Sequence, residues 1–343
     1  MAEIKIGEYD INKDNCFIIA EAGSNHDNDF EKAKRLIDAA AEAGVDAIKF
    51  QTFKADKHYS KKTPKFEYLD EKPYELIKKL ELNREWQKGL KEYCNKKGLY
   101  FLSSPCDKEA IDQLDEIGVK AFKLSSFDMV DLDLLEYMAK KGKPVIVSTG
   151  LADYEDVFDV VKVMKKVGND QLIFLQCTSL YPAPPELSNL ASMEVIEKMF
   201  GYPTGYSDHT LGIHIPTAAA ALGAVVIEKH FTLNKEDEGP DHKFAIEPDE
   251  LKELVTGVRE TKKAIGNGYK LGPRKEEMDM YEKGRRSIMA AKDLKAGTKI
   301  TEENIVNKRP GYGIKPKYKK FIIGKKINTD LEEDSWITWD MIG

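Results

Sequence analysis

The 343-residue chain has little of what marks secreted or membrane-spanning proteins. It contains four cysteines, Cys16, Cys94, Cys106 and Cys177, and none of them form the Cys-x-x-Cys pair of a redox or zinc site. Cys16 and Cys177 lie in apolar runs, where buried thiols are expected rather than disulfides. No stretch approaches the roughly 18 apolar residues of a transmembrane helix, and the N-terminus lacks the apolar core of a signal peptide. We therefore expect a cytoplasmic protein.

The chain also lacks an excess of positive charge. Lys and Arg together number 53 and Asp and Glu number 59, so the formal net charge is -6. This balance argues against nucleic acid or an anionic membrane as the main partner. The hydrophobic content of 41% and the charged content of 33% are typical of a soluble globular protein.

Short apolar runs alternate with amphipathic segments through the first part of the chain. Eight of the runs predict β-strands, at 16–21, 47–52, 99–104, 121–126, 144–149, 172–177, 204–207 and 224–230. Apolar residues spaced three to four apart predict helices between and after them, at 30–43, 74–97, 108–117, 153–167 and 247–264. This α/β alternation predicts a TIM (β/α)8 barrel. A Rossmann fold would need a GxGxxG turn after the first strand, and none is present.

The pattern changes near Gly266. We predict a barrel domain at 1–266, a charged linker at 267–286 and a small, mostly-β domain at 287–343. A domain of this size has a marginal core on its own, so we expect it to dock on another surface. Within the barrel, the segment 54–73 is an insertion after the second strand that is long enough to form a loop at the rim.

Polar side chains stand where the predicted strands end. The C-terminal ends of the strands form the active site of a TIM barrel, so these side chains should share one face. They are Glu21, Lys49, Gln51, Ser104, Lys123, Ser126, Asp128, Ser148, Ser179, Tyr181, Ser207, His209 and His230.

These residue types suit one kind of chemistry. Lys49, Lys123 and several serines can hold the oxygens of an anionic substrate. His209 and His230 can bind a divalent metal and leave positions open for water or a carbonyl. Glu21 can transfer a proton. Together they suit a phosphorylated anionic substrate that reacts with a polarised carbonyl.

Structural roles compete with these assignments. A lysine at a strand end can simply extend to solvent, and Ser104 and Ser148 can form turns. The remaining histidines are expected to be structural or exposed; they are His26, His58, His214 and His242.

Several motifs resemble those of the sialic acid synthase family. They are IIAEAGSNH at 18–26, IKFQT at 48–52, FKLSS at 122–126, STG at 148–150, CTSLYP at 177–182, GYSDHT at 205–210, IEKHF at 227–231 and GPDH at 239–242. KRPGYG at 308–313 resembles the antifreeze-like (SAF) domain of the same enzymes. The resemblance covers nearly the whole chain, in order.

The resemblance implies a TIM barrel followed by an SAF domain, and it implies a reaction. Phosphoenolpyruvate condenses with an N-acylated hexosamine and water to give a nonulosonic acid and phosphate, with cleavage of a C–O bond. A divalent metal, Mn²⁺ or else Mg²⁺ or Co²⁺, is expected on His209 and His230. A homodimer is expected, in which the SAF domain of one chain caps the barrel of its partner.

The same resemblance assigns roles to the other residues. Glu21, Lys49 and Gln51 are expected to be catalytic. Phosphoenolpyruvate is expected at Lys49, Ser104, Lys123, Ser126, Ser148, Ser179 and Ser207. The sugar is expected at Asp128, Tyr181, Asp241 and Arg309.

The identity of the sugar is open. The first expectation is N-acetylmannosamine, which would make the chain an N-acetylneuraminate synthase. The alternative is a diacetamido-trideoxy-hexose, the substrate of a pseudaminic or legionaminic acid synthase. SFD at 126–128 resembles the pseudaminic acid synthases, whereas GPDHK at 239–243 resembles the sialate and legionaminate branch. A bulky Phe127 at the rim would favour a less polar, deoxygenated sugar.

Two other classes of protein are alternatives. One is a related phosphoenolpyruvate-dependent synthase that makes a seven- or eight-carbon keto acid. The second domain counts against it, because those barrels usually lack an SAF domain. The other is a non-catalytic carbohydrate-binding or ice-binding protein, which would not need a strand-end glutamate with two lysines and two histidines.

Overall fold

The structure is a computed structural model that describes residues 3–66 and 71–343. They form two compact units, one extending to Gly266 and the other from Asn267 to Gly343. In the described part of the chain no helix is both long and apolar enough to cross a membrane.

The described residues of the first unit contain a short hairpin and an eight-stranded parallel sheet. The hairpin consists of β1 (Ile4–Ile6) and β2 (Tyr9–Ile11). The sheet consists of β3 (Phe17–Gly23), β4 (Ala47–Thr52), β5 (Tyr100–Pro105), β6 (Phe122–Leu124), β7 (Val145–Ser148), β8 (Leu172–Cys177), β9 (Thr204–Asp208) and β10 (Val226–His230). Its strand order is β5-β4-β3-β10-β9-β8-β7-β6, and β5 lies beside β6 where the ring nearly closes. The predicted TIM barrel is confirmed.

Helices follow the strands, and most of them pack on the outside of this barrel. They are α1 (Phe30–Ala43), α2 (Ala55–His58), α3 (Pro73–Leu80), α4 (Trp86–Lys96), α5 (Lys108–Glu116), α6 (Leu132–Ala139), α7 (Tyr154–Val167), α8 (Ser192–Phe200), α9 (His214–Ala221) and α10 (Pro248–Ile265). Local sequence signals set their ends. The Asp29 side chain accepts the Glu31 N–H at the start of α1, and Gly44, with φ of 82°, ends that helix.

One predicted helix is wrong in its extent. The segment 74–97 is two helices, α3 and α4, because the chain turns between them. The Glu81 carboxylate accepts the backbone N–H of Ala55 at 2.7 Å, and the Asn83 side chain accepts the Glu85 N–H at 3.1 Å. Apolar spacing continues across this turn, so periodicity does not reveal it. Part of the predicted rim insertion, 67–70, lies outside the described residues.

The interior of the barrel changes character along each strand. Side chains alternate between the inside and the outside of the barrel. Toward the N-terminal ends of the strands the interior is apolar. It is formed there by Phe17, Ile19, Ala47, Leu102, Ala121, Ile146, Ile173, Leu175 and Val226. The hairpin residues Ile4, Ile6 and Ile11 belong to the same cluster. The next inward residue along a strand is often polar, as Glu21 follows Ile19 and Glu228 follows Val226. A packed core therefore supports the polar side chains above it.

The second unit has its own small core. An antiparallel pair, β11 (Ser287–Ala290) and β12 (Ile305–Lys308), packs with α12 (Lys319–Ile322). The core residues are Ile288, Ala290, Leu294, Ile300, Ile305, Ile314, Ile322, Ile327, Leu331 and Ile337. Helix α11 (Met278–Gly284) lies in the segment expected to be a linker.

Strand β9 approaches β10 so closely that only glycine fits at position 205. A Cβ on Gly205 would lie 2.2 Å from the Val226 carbonyl oxygen. We expect Gly205→Ala to lower the free energy of unfolding by at least about 1–3 kcal/mol, as overpacking does. Urea unfolding measures the change.

Gly257→Ala in α10 is the matched control. Its Cβ would lie 3.5 Å from the Thr217 hydroxyl, an ordinary contact. Alanine should stabilise this helix by about 0.5–1 kcal/mol. Equal unfolding midpoints for the two variants would contradict the close approach of β9 and β10.

Candidate active site

A cavity of about 330 Å³ opens at the C-terminal ends of the barrel strands, a volume that suits a small-molecule site. Most of the residues expected from the sequence line it. They are Glu21, Lys49, Gln51, Ser104, Lys123, Ser126, Asp128, Ser148, Tyr181, Ser207, His209, His230 and Asp241.

Four buried charged groups form a chain of alternating sign on the cavity floor. Lys49 Nζ lies 2.8 Å from a Glu21 carboxylate oxygen and 3.7 Å from Glu228 Oε2. Lys123 Nζ lies 3.8 Å from the other oxygen of Glu228. Each charge therefore has a neighbour of opposite sign, which offsets the cost of removing it from water.

Hydroxyl and amide groups complete this chain. Lys49 donates to Ser104 Oγ at 3.2 Å, and Lys123 donates to Ser148 Oγ at 2.7 Å. Gln51 donates to Glu21 Oε1 at 2.7 Å. These contacts hold the two ammonium groups and the Glu21 carboxyl in fixed positions.

Burial and neighbouring charges give the two glutamates different proton affinities. Burial raises the pKa of Glu21 to about 7, although the Lys49 charge opposes the rise. Burial also acts to raise the pKa of Glu228, but Lys123 and Lys49 outweigh it and hold that pKa below its usual value. Near neutral pH, Glu21 can therefore exchange a proton while Glu228 stays ionised.

The sequence analysis did not assign a role to Glu228. Its carboxylate accepts the Ser207 hydroxyl at 3.0 Å and lies between the two lysines. The alternation of side chains along β10 predicts an inward-facing Glu228, because it shares the inward face with His230. The glutamate also lies in a run, Val226–His230, that was noted for its histidine alone.

The outward face of the same strands carries a second buried ion pair. Lys229 Nζ lies 2.6 Å from Asp208 Oδ2 and also donates to the Thr210 carbonyl. Both side chains are almost fully buried. The pair ties the end of β9 to the end of β10, next to His209 and His230, and the sequence analysis did not identify it.

The two histidines fit a divalent metal. His209 Nδ1 donates to the Thr178 carbonyl at 2.8 Å, because a carbonyl can only accept, which leaves Nε2 as the atom that can bind a metal when the ring is neutral. Burial lowers the pKa of His209, but the contact with Cys177 and the bond to Thr178 outweigh it and raise that pKa. Burial, together with the positive charge of His209 and Lys49, holds the pKa of His230 well below its usual value, so this ring is neutral. The ring centroids lie 5.4 Å apart.

A carboxylate stands beside them. Asp241 Oδ2 lies 3.8 Å from His230 Nδ1, a buried atom with no hydrogen-bond partner among the described residues. Burial raises the pKa of Asp241 to about 6. Two imidazoles next to a carboxylate are a donor set that suits Mn²⁺ and related ions, which displace the proton of His209 on binding.

A second group of potential metal ligands lies at Asp27, Asp237 and His242. Lys32 already bridges the two carboxylates, lying 2.6 Å from Asp237 and in direct contact with Asp27. His242 bonds to Asp27 at 3.1 Å and to the Thr232 hydroxyl at 2.7 Å. An ammonium group occupies the position that a cation would take, so this group is an ion-pair network.

One expected residue of the barrel, Ser179, is not among the residues that line the cavity. Its hydroxyl lies close to Gly150, where an added Cβ would come within 2.3 Å of it. Ser126, which does line the cavity, accepts the Gly150 N–H at 2.9 Å. Arg309 belongs to the second unit, where its Nε donates to the Gly284 carbonyl at 2.8 Å.

The expected sugar residues lie toward the rim. Asp128 accepts the Ser125 hydroxyl at 2.6 Å and lies 3.8 Å from His58 Nδ1. The Tyr181 ring packs against His209 with a centroid distance of 4.2 Å. Tyr181 therefore connects the rim to the candidate metal ligands.

A TIM barrel that holds buried lysines, glutamates and histidines at its strand ends is an enzyme barrel of the class that handles small anionic substrates. Comparison with known proteins identifies the family. The NeuB family profile matches residues 36–270, and the SAF domain profile matches residues 285–343. The chain therefore belongs to the NeuB family, the sialic acid synthases, and it is an enzyme.

Individual relatives agree. The chain is 41% identical to the N,N'-diacetyllegionaminic acid synthase of Legionella pneumophila, covering 95% of this chain and 94% of that protein. It is 37% identical to a pseudaminic acid synthase of Campylobacter jejuni, covering 96% and 97%. The crystal structure of an N-acetylneuraminic acid synthetase from Leptospira borgpetersenii superimposes with a TM-score of 0.74 at 36% identity, covering 82% of this chain and 95% of that one.

A metal at His209 and His230 and a metal at Asp27, Asp237 and His242 would respond differently to substitution. We expect His230→Ala to weaken Mn²⁺ binding at least about 100-fold, because it removes a direct ligand, whereas even supporting residues contribute 10–100-fold. Asp237→Asn should leave the affinity unchanged, because Lys32 fills that group. Isothermal titration calorimetry of the purified protein measures both affinities. Loss of binding in Asp237→Asn alone would place the metal at the other group.

Proposed function

We propose that this enzyme condenses phosphoenolpyruvate with an N-acylated hexosamine and water, and releases phosphate and a nonulosonic acid. The observation that carries the proposal is the buried floor of Lys49 and Lys123 with Glu21 and Glu228. Relatives that match over 94% and 97% of their own length are named as synthases of such acids.

The two lysines suit phosphoenolpyruvate, which carries several negative charges. In a buried site such charges need fixed cations and donors. We assign Lys49, Lys123 and the serines 104, 126, 148 and 207 to this substrate. Ser179 lies close to Gly150 and Ser126 and does not line the cavity, so we assign it to the support of these residues. Glu228 holds both ammonium groups in place, and its charge opposes the lowering of their pKa values by burial.

Glu21 suits the proton transfer of the reaction. Carbon 3 of phosphoenolpyruvate forms a bond to the aldehyde carbon, and the aldehyde oxygen then needs a proton. Water adds at carbon 2 and loses one proton, which leaves a hydroxyl on that carbon. The bond between carbon 2 and the phosphate oxygen then breaks as this hydroxyl becomes the keto group and its proton passes to the departing phosphate. The proton lost by water equals the one gained by the aldehyde oxygen, and a carboxyl with a pKa of about 7 can relay it. Gln51 orients that carboxyl.

We assign the metal to His209 and His230, with Asp241 beside them. A bound Mn²⁺, or Mg²⁺ or Co²⁺, would supply Lewis-acid polarisation of the aldehyde. The protein's own part is to orient the His209 ring through the Thr178 carbonyl. Burial and nearby positive charges, including Lys229 of the buried Lys229–Asp208 pair, keep His230 neutral.

A direct test uses phosphoenolpyruvate labelled with ¹⁸O at the bridging oxygen, Mn²⁺ and a panel of N-acylated hexosamines. We expect sugar-dependent phosphate release with the label retained in the phosphate, because the C–O bond breaks. Mass spectrometry of the phosphate measures the label. Unlabelled phosphate, or phosphate release that does not depend on the sugar, would contradict the proposal.

Glu21→Gln is the matched variant for this test. It keeps the shape of the side chain and removes the proton relay, so kcat should fall about 10²–10⁴-fold. Glu194→Gln on the surface of α8 is the control and should keep full activity.

We also propose a homodimer in which the SAF domain acts on the partner's barrel, as the family resemblance implies. Arg309→Ala should then raise KM for the sugar far more than KM for phosphoenolpyruvate. Mixing it with Glu21→Gln should restore part of the activity, because one of the mixed sites has both residues intact. Steady-state kinetics of the mixture measures this, and no recovery would exclude action in trans.

A further inference from the structure

A lysine and an aspartate form a buried ion pair on the outer face of the barrel sheet. Lys229 of β10 and Asp208 of β9 are direct partners in the strand register, and their side chains are 1% and 0% exposed. The other buried residues of this face are mostly apolar, such as Val147, Phe174 and Ile227. Replacing a buried ion pair with apolar side chains is often neutral or stabilising. Stability alone therefore does not explain why charges occupy these two positions.

The location of the pair relative to the two candidate metal ligands offers an explanation. Asp208 directly precedes His209, and Lys229 directly precedes His230. Because side chains alternate along a strand, each histidine faces the cavity while the residue before it faces outward. The ion pair therefore joins, from the outside, the two strand ends that carry the imidazoles.

Side-chain bonds of the pair hold the chain on both sides of His209. Lys229 opposite Asp208 is the last pair in the described register of β9 and β10, so His209 lies beyond the ladder between these strands. Past that point, Asp208 Oδ1 accepts the Thr210 N–H at 2.9 Å, and Lys229 Nζ donates to the Thr210 carbonyl. One buried ammonium group thus contacts both neighbours of His209 in the sequence.

We propose that the Lys229–Asp208 pair is a positioning device that sets the separation of the His209 and His230 imidazoles, whose ring centroids lie 5.4 Å apart. The inference rests on the proposed metal site and adds to it two residues that do not line the cavity. Residues that orient metal ligands without touching the metal typically contribute about 10–100-fold to metal affinity. Loss of the pair should therefore weaken the site without removing a ligand.

The variant that tests this role combines Lys229→Met with Asp208→Asn. It removes both charges, and asparagine keeps an oxygen that can accept the Thr210 N–H. Isothermal titration calorimetry should show that Mn²⁺ binding is weakened about 10–100-fold. The double variant should nevertheless unfold at a higher urea concentration than Lys229→Met alone, because the single variant leaves the Asp208 carboxylate without a compensating charge.

Asp46→Asn is the matched control. Asp46 pairs with Arg259 at 2.6 Å and accepts the Ile18 N–H at 2.7 Å, at the N-terminal ends of the strands. Loss of this ion pair should lower stability far from the histidines and leave the Mn²⁺ affinity unchanged. The visible absorption of bound Co²⁺ reports ligand geometry. At saturating Co²⁺ its bands should shift in the double variant and should not shift in Asp46→Asn.

Failure of the inference and failure of the proposed metal site look different. Unchanged Mn²⁺ affinity in the double variant, together with weak binding in His230→Ala, would overturn only the inference. An equal loss of affinity in Asp46→Asn would also overturn it, because any loss of stability would then weaken the site. Full affinity in His230→Ala would overturn the metal site and the inference together. None of these measurements needs turnover, so failure of the proposed reaction is detected separately, with labelled phosphoenolpyruvate.

Discussion

The mutual compensation of buried charges on the barrel floor is the constraint on which the site depends. Glu21, Lys49, Glu228 and Lys123 lie in that order, and each ion is next to an opposite charge. An isolated ion at this depth would be too costly to keep charged. Removing one member therefore leaves an uncompensated neighbour and also alters the proton affinity of the others. Structure and chemistry here rest on the same four groups.

The β-barrel provides this arrangement at little cost to its core. Inward positions are two residues apart, so Ile19 packs in the apolar interior while Glu21, the next inward residue, reaches the cavity. Outward-facing residues lie on the outside of the barrel, where Lys229 and Asp208 form an ion pair between two strand ends. A single short strand thus contributes to the core, the site and the support of the site.

The cavity combines two kinds of surface. The floor presents fixed cations and hydroxyls, which suit an anion, and helix α3 presents Leu76 and Ile77, which are apolar. Because these α3 residues lie outside the core clusters of the described residues, substitutions there should lower stability little. Substitutions of the four charged floor residues should lower stability more, since each buried charge is compensated by its neighbours.

The sequence by itself determined the elements and most of the strand-end residues. The bounds of β4 and β8 agree with prediction, and Lys49 and His230 were identified, because hydrophobic periodicity is a local property of the chain. The tertiary structure alone decided that Glu228 lies between two lysines and that the Ser179 hydroxyl lies against Gly150, away from the cavity lining. It also revealed the turn that separates α3 from α4. These features depend on distances between residues far apart in sequence, which closure of the barrel sets and which no local pattern records.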